Sequence, residues 1–366
     1  MIVPAYNAEP TLSEAVQSAL SGSYPNIELI IVDDGSTDDT FAIAQTLARA
    51  DARIHLHRQP NGGVSAAFNA GLALVRGDYV ARLDSDDIWH PRKIERQVDV
   101  ALRHPRAAFI YTFVRYIDAQ GRVTRDGPDQ RFPLHALSRG VYESLVGANS
   151  SALMLRSTVQ QIGGYDEELV SWEDLFLQLR ITARAEIAYV PEYLVGYRVR
   201  PGSLSADPAN MLRSWRKARR KIQREFPELP SFVDSWSHGR RCAGFAESFA
   251  WRGHYAMCAR LLAEAARMDW RWTAAFLAFR SKRRLKRAFV RDSRHASSPP
   301  FSACDPQERV TADDPNDVYG PLDTLEAQRI AKLGEIDAEL ARARTEAKRP
   351  PSAAAQESFL RERADF

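Results

Sequence analysis

The chain has 366 residues, 45% of them hydrophobic and 27% charged, with a formal net charge of +3. That is a globular composition, too weakly basic to imply a nucleic-acid partner. The three cysteines, Cys242, Cys258 and Cys304, show no CxxC spacing, which excludes a disulfide framework or a cysteine-rich zinc site. No apolar run approaches the length of a membrane span, and no signal-like N-terminal segment is read. The expected location is cytoplasmic.

Residues 1–117 alternate between strand-like and helix-like patterns. Met1-Ile2-Val3 is a short apolar start before Pro4. Thr11-Leu12-Ser13-Glu14 fits a capping box, and Leu12, Val16, Ala19 and Leu20 follow at helical spacing. Ile27 to Val32 is an almost unbroken apolar run, as in a strand buried on both faces, and it ends in Asp33-Asp34-Gly35-Ser36. A helix with Ile43 and Leu47 inward leads to a strand at Ile54–His57. The Asn61-Gly62-Gly63 loop precedes a helix carrying Val64, Ala67, Phe68, Gly71, Leu72 and Val75. Tyr79 to Leu83 is a strand that stops at Asp84-Ser85-Asp86-Asp87. Pro91 opens the next helix, Ala107 to Ile117 is a long strand, and Asp118 to Gly121 is a hairpin turn.

This rhythm predicts an α/β fold with a mainly parallel sheet flanked by helices. Ligands bind such sheets at the carboxyl ends of the strands. Asp33-Asp34 and the acids at 84–87 are therefore expected at one edge. Crowded carboxylates there suit a hard divalent cation, although a solvated turn with a helix cap also uses Asp.

Residues 118–205 are less regular. Gly147 to Ser151 opens a strand, Ala152 to Leu155. Gly163-Gly164-Tyr165-Asp166 is a turn, Trp172-Glu173-Asp174 precedes a helix, and Ala188 to Pro191 is a short strand. From 206 to 294 the pattern is helical and basic, with a helix pair at 236–272. Aromatics between Trp270 and Phe289 alternate with basic residues, as in a helix packed on the catalytic domain with a solvated basic face. The same pattern fits a helix on an anionic membrane. Residues 295–324 read as a linker, and 325–366 as a charged helix with a disordered tail.

The ordered motifs resemble the family 2 glycosyltransferases, inverting enzymes of the GT-A fold. They are Val3-Pro4-Ala5-Tyr6-Asn7, Val32-Asp33-Asp34-Gly35-Ser36-Thr37-Asp38, Asn61-Gly62-Gly63 through Asn69-Ala70-Gly71, Asp84-Ser85-Asp86-Asp87, Gly163-Gly164-Tyr165-Asp166 and Trp172-Glu173-Asp174. The resemblance covers residues 1–205 and implies a Rossmann-like catalytic domain. It implies transfer of a hexose from a nucleotide sugar, most simply a UDP-sugar, to a hydroxyl of a glycan or lipid-linked acceptor. The setting would be cell-surface polysaccharide synthesis, with a peripheral contact at the inner face of the membrane.

By the same resemblance Asp86 binds Mg or Mn, and Asp84 contacts the metal or the donor ribose. Asp87 is read as a helix cap. Pro4, Tyr6, Asp33 and Asp34 line the nucleoside. Asp174 is the general base, with Glu173 beside it, although two acids opening a helix are also what the helix dipole favours. Phe68 stands where the family usually has Arg. Arg200 stands where it often has His, so Arg198 and Arg200 are expected to bind the diphosphate. Phe68 and the clipped first strand support an alternative: a degenerate nucleotide-sugar-binding scaffold. A nucleotidyltransferase is disfavoured because no glycine-rich phosphate loop opens the chain.

Overall fold

A computed structural model of the chain describes residues 1–129, 131–133, 135–143, 148–200, 207–289, 298–310 and 324–347. Gly147, residues 201–206, the stretch 311–323 of the expected linker and the residues from 348 lie outside the described residues.

The first half follows the expected alternation: β1 (Ile2–Ala5), α1 (Leu12–Leu20), β2 (Leu29–Asp33), α2 (Thr40–Ala50), β3 (Ile54–Arg58), α3 (Val64–Leu74), β4 (Tyr79–Val80), β5 (Ile88–Trp89) and α4 (Lys93–Arg103). β1, β2 and β3 form a parallel sheet, with Ala5 opposite Asp33. The 81–83 segment lies on the other side of β1, through a parallel bridge between Ile2 and Arg82. β1 is thus flanked by two parallel neighbours that both end in acids.

The apolar run of β2 is buried on both faces. Ile30 and Val32 join Ile2, Phe68 and Leu72 in one core, while Leu29 and Ile31 join Val3, Leu12 and Val16 in another. Gly71 lets α3 press against β1, since a Cβ there would sit 2.6 Å from Ile2 Cγ2. The capping box does not form: no side chain caps α1, and Glu14 reaches across to Arg198 instead.

The second half continues with β6 (Ala107–Ile117), β7 (Val123–Asp126), α5 (Leu137–Glu143), β8 (Leu153–Leu155), α6 (Arg156–Gln161), α7 (Glu173–Thr182) and β9 (Glu186–Arg198). Its sheet runs β4-β8-β6-β9-β5, with β7 paired to β6. Only β6 and β9 are parallel in it. β9 is one 13-residue strand where the sequence suggested only a short one, Ala188 to Pro191. Register shifts against β6 absorb the irregularity around Pro191.

Four helices follow: α8 (Pro208–Glu225), α9 (Ser231–Trp251), α10 (Tyr255–Phe289, kinked at Asp269) and α11 (Thr324–Ala347). The basic stretch of α8 is largely paired. Lys221 meets Asp166, Arg219 meets Asp234 and Arg216 meets Glu264. Residues 298–310, expected to belong to a linker, pack on the catalytic sheet. Val123 N donates to Pro299 O, Tyr193 N donates to Pro306 O, and Phe301 is buried beside Ile117 and Val123. The apolar Phe301 and Cys304 explain why this piece docks. α11, read from the sequence as a charged helix, packs on α5 through buried Leu333 and through Asp337, which accepts the Ser138 N–H at 2.6 Å. No helix among the described residues is long and apolar enough to cross a membrane.

Candidate active site

The acids of β2 occupy different environments. Asp34 accepts from Gln59 Nε2 at 2.8 Å, Gly62 N at 2.9 Å and Gly63 N at 2.8 Å. Its carboxylate therefore shapes the 59–63 loop at the start of α3. Asp33 is fully buried, 3.0 Å from Arg58 Nε. Neither of its oxygens receives a well-directed hydrogen bond from the described residues. Buried acceptors of this kind ordinarily have a donor, so Asp33 is the member of the pair left able to take one from a ligand. Tyr6, at the end of β1, is about half exposed, and Pro4 is buried within the strand opposite Val32.

The acids after Leu83 are each held separately. Asp84 Oδ1 accepts Arg82 Nε at 2.6 Å, and Asp84 N donates to Ser150 Oγ. Asp86 Oδ2 accepts Arg200 Nη2 at 2.5 Å. Burial first, and then the Asp84 charge, push the Asp86 carboxyl up. Asp87 does not cap a helix. It precedes β5, is buried, and accepts from Ser150 Oγ at 2.6 Å and Arg198 N at 3.0 Å. The chain must pair with β9 before α4 can begin, which leaves Asp87 inside.

Arg198 departs from its expected role. Its guanidinium donates to Asp86 O, Asp118 O, Ala119 O and Glu14 Oε2. With a side chain 1% exposed, it ties the acid loop to the hairpin instead of presenting donors to a diphosphate. Arg200 is more open, and its guanidinium lies over the acids.

Glu173 and Asp174 open α7. Trp172, just before them, has a left-handed backbone with φ of 67°, an uncommon conformation for a bulky residue. It is held because its indole donates to Met211 O at 3.0 Å and its ring packs edge-on to Trp215. α8 therefore braces the turn that aims the two acids. Glu173 Oε1 accepts Arg82 Nη1 at 3.3 Å. Burial, then the Asp174 charge, raise Glu173 to about 7, and burial raises Asp174. Among the described residues Asp174 accepts only the Leu175 N–H.

Arg82 was not singled out from the sequence, and neither was Ser150. The signal for Arg82 is a charge inside an otherwise apolar strand run. The glycine turn is also tied in. Asn69 accepts Tyr165 N and donates to Tyr165 O, both at 2.9 Å. Gly164, at φ of 71°, has no room for a Cβ against Asn69. Phe68 is fully buried, its ring 4.5 Å from that of Tyr165, so it serves the core.

Read through the family description glycosyl transferase family 2, residues 1–163 match. The TuaG glycosyltransferase of Bacillus subtilis, named for teichuronic acid biosynthesis, is 31% identical over 243 residues, 64% of this chain and 91% of TuaG. The chain is a family 2 glycosyltransferase. Two solved structures share the fold of this glycosyltransferase at 19% identity and TM-scores of 0.54. One is Mannosyltransferase PcManGT from Pyrobaculum calidifontis in complex with GDP-Man and Mn2+, covering 78% of this chain and 79% of that one. The other is S. aureus TarS 1–349 with UDP-GlcNAc, covering 73% and 82%. The expected GT-A architecture is therefore present.

A second cluster, His238, Cys242 and Glu264, gathers side-chain ligand atoms within 4.8 Å. Trp215 Nε1 donates to His238 Nδ1 at 3.0 Å, which leaves the imidazole proton on Nε2, facing Glu264 Oε1 at 2.8 Å. A neutral imidazole has one lone pair, and Trp215 takes it. As hydrogen-bonded, the cluster is helix packing between α9 and α10.

Proposed function

We propose that this glycosyltransferase moves a sugar from a nucleotide-sugar donor to a glycan or lipid-linked hydroxyl, with inversion, in cell-surface polysaccharide synthesis. The observation that carries the reading is the pairing of two acid groups, one ending the strand beside β1 and one opening α7, joined through Arg82. Asp33 has buried oxygens suited to the N–H edge of a nucleobase, and the half-exposed Tyr6 would cover that base. UDP-GlcNAc in TarS supports a uridine donor, and GDP-Man in PcManGT keeps guanosine in the test panel.

The donor set at Asp84 and Asp86 fits a divalent cation. Both are carboxylates at the end of one strand, the oxygen ligands that a hard cation takes, and burial, then the Asp84 charge, raise Asp86 against the opposing Arg200. Such a cation would neutralise the leaving diphosphate. Asp86 and Asp84 would hold it, and the PcManGT complex with GDP-Man and Mn2+ supports keeping manganese in the test. Arg200 would meet diphosphate oxygens once it leaves Asp86. Asp174, free of side-chain partners among the described residues, would take the acceptor hydroxyl proton.

The reading is tested with UDP- and GDP-sugars, with and without manganese, following nucleotide release and sugar transfer. Turnover that stops with chelator, and with Asp86→Ala or Asp174→Asn, is expected. Nucleotide binding without turnover would instead support the degenerate scaffold.

A further inference from the structure

Arg82 interrupts the apolar run from Tyr79 to Leu83, and its side chain is buried, 6% exposed. A buried guanidinium is costly unless matched by acids. Arg82 is matched by two, Asp84 two residues on and Glu173 91 residues on. Nε is 2.6 Å from Asp84 Oδ1 and Nη1 is 3.3 Å from Glu173 Oε1. Its guanidinium also stands 5.4 Å from the centre of the Tyr165 ring. That ring is fixed in turn by Phe68 and by a hydroxyl bond to Asn149 Oδ1 at 2.9 Å.

We propose that Arg82 is a positioning residue for transfer: it holds Glu173, and through it the first turn of α7, in register with the donor-side Asp84. The proposal rests on the reading of Asp174 as the base. Asp174 has no side-chain partner among the described residues, so the neighbouring Glu173 is the handle by which its turn is held. A planar guanidinium can reach two acids with separate nitrogens. A lysine ammonium keeps the charge but cannot span both in this geometry.

The test is a double-mutant cycle on the full chain: wild type, Arg82→Met, Arg82→Lys, Glu173→Gln and Arg82→Met/Glu173→Gln. Melting, UDP binding by calorimetry, and kcat and KM with a donor turned over by the wild type are measured. Arg82→Met should lower kcat by about 100-fold, the scale of a small misplacement, and Arg82→Lys by about tenfold. UDP affinity should change by less than about fivefold, because the Asp84 backbone stays anchored on Ser150. In the Glu173→Gln background the effect of Arg82→Met on kcat should shrink to under about threefold, because the proposal routes the effect of Arg82 on kcat through Glu173, not through its second contact with Asp84. If Arg82→Met does not fold, the cycle is read with Arg82→Lys and Arg82→Lys/Glu173→Gln. Wild-type kcat in a folded Arg82 variant, or effects that simply multiply, would overturn the proposal alone. No turnover of any nucleotide sugar by the wild type would overturn the transferase reading, and this proposal with it.

Discussion

The Arg200 guanidinium lies 2.5 Å from the Asp86 carboxylate, a cation placed on the residue proposed to bind metal. Arg200 and a divalent ion compete for the negative charge of Asp86, because two cations on one carboxylate repel. Arg200→Ala should therefore bind manganese about fivefold more tightly without nucleotide, the modest gain expected from a partly exposed ion pair. The same variant should bind UDP more weakly, because the diphosphate loses its guanidinium. Manganese and UDP titrations by calorimetry check both signs. Two affinities that move in the same direction would remove Arg200 from the exchange.

Glu173 sets a pH dependence. Its carboxyl is raised to about 7 by burial and by Asp174, while Arg82 opposes the rise. Asp84 adds to the rise, and the adjacent Asp174 is raised too. A proton held by the pair blocks removal of the acceptor proton, so kcat/KM should climb with pH through about 7. Stability moves the other way. The folded state binds this proton more tightly than the unfolded chain, so Glu173 favours folding at low pH. That contribution is lost as pH rises from the ordinary carboxyl range through about 7. Glu173→Gln should gain on the wild type by on the order of 2 kcal/mol between about pH 5 and about pH 8. Denaturant melts at both pH values measure it, and a flat difference would mean the shift is absent.

Phe301 secures the 298–310 segment. It is 2% exposed and packs with Ile117 and Val123, and its ring lies so close to Gly196 that a Cβ there would sit 3.2 Å from Phe301 Cγ. Phe301→Ala should destabilise the fold by about 3–5 kcal/mol. Early proteolytic cleavage between 298 and 310 should accompany it. Wild-type stability in this variant would show that the segment only rests on the sheet.

Much of the catalytic half was legible because its signals are local. The double-sided apolar run of β2, the spacing of α3 and the acids at strand ends each report their own surroundings. What escaped depends on partners far along the chain. Glu14 in a capping-box pattern belongs to Arg198, 184 residues later. Asp87 follows Asp86 in sequence, yet Ser150 and Arg198 decide its role. Arg198 and Arg200 look alike in a short motif, and the strand pairing of β9 buries the first while leaving the second over the acids. The helical region was read as basic, but Asp166, Asp234 and Glu264 neutralise its most regular stretch only in three dimensions.

Asp34 gives the last prediction, because two neighbouring acids of one turn are assigned different work. Its carboxylate satisfies Gln59 Nε2 and the Gly62 and Gly63 amides, and Gly63, at φ of 86°, leads directly into α3. Asp34→Ala leaves three donors without that acceptor, and each can regain water only in part. A loss of about 1–3 kcal/mol is expected. Loosening at 59–63 should also disturb the adjoining Asp33 and weaken nucleoside binding. The acids at 84–86 and 173–174 stand on other elements. KM for the donor should therefore rise about tenfold while kcat falls less, the pattern of lost ground-state binding. Asp34→Asn should rescue incompletely, because its amide nitrogen meets one of the backbone N–H groups donor to donor. Denaturant unfolding, hydrogen exchange at 59–63 and donor kinetics test the chain of effects. A variant with loosened exchange but unchanged KM would separate the loop from the nucleoside site.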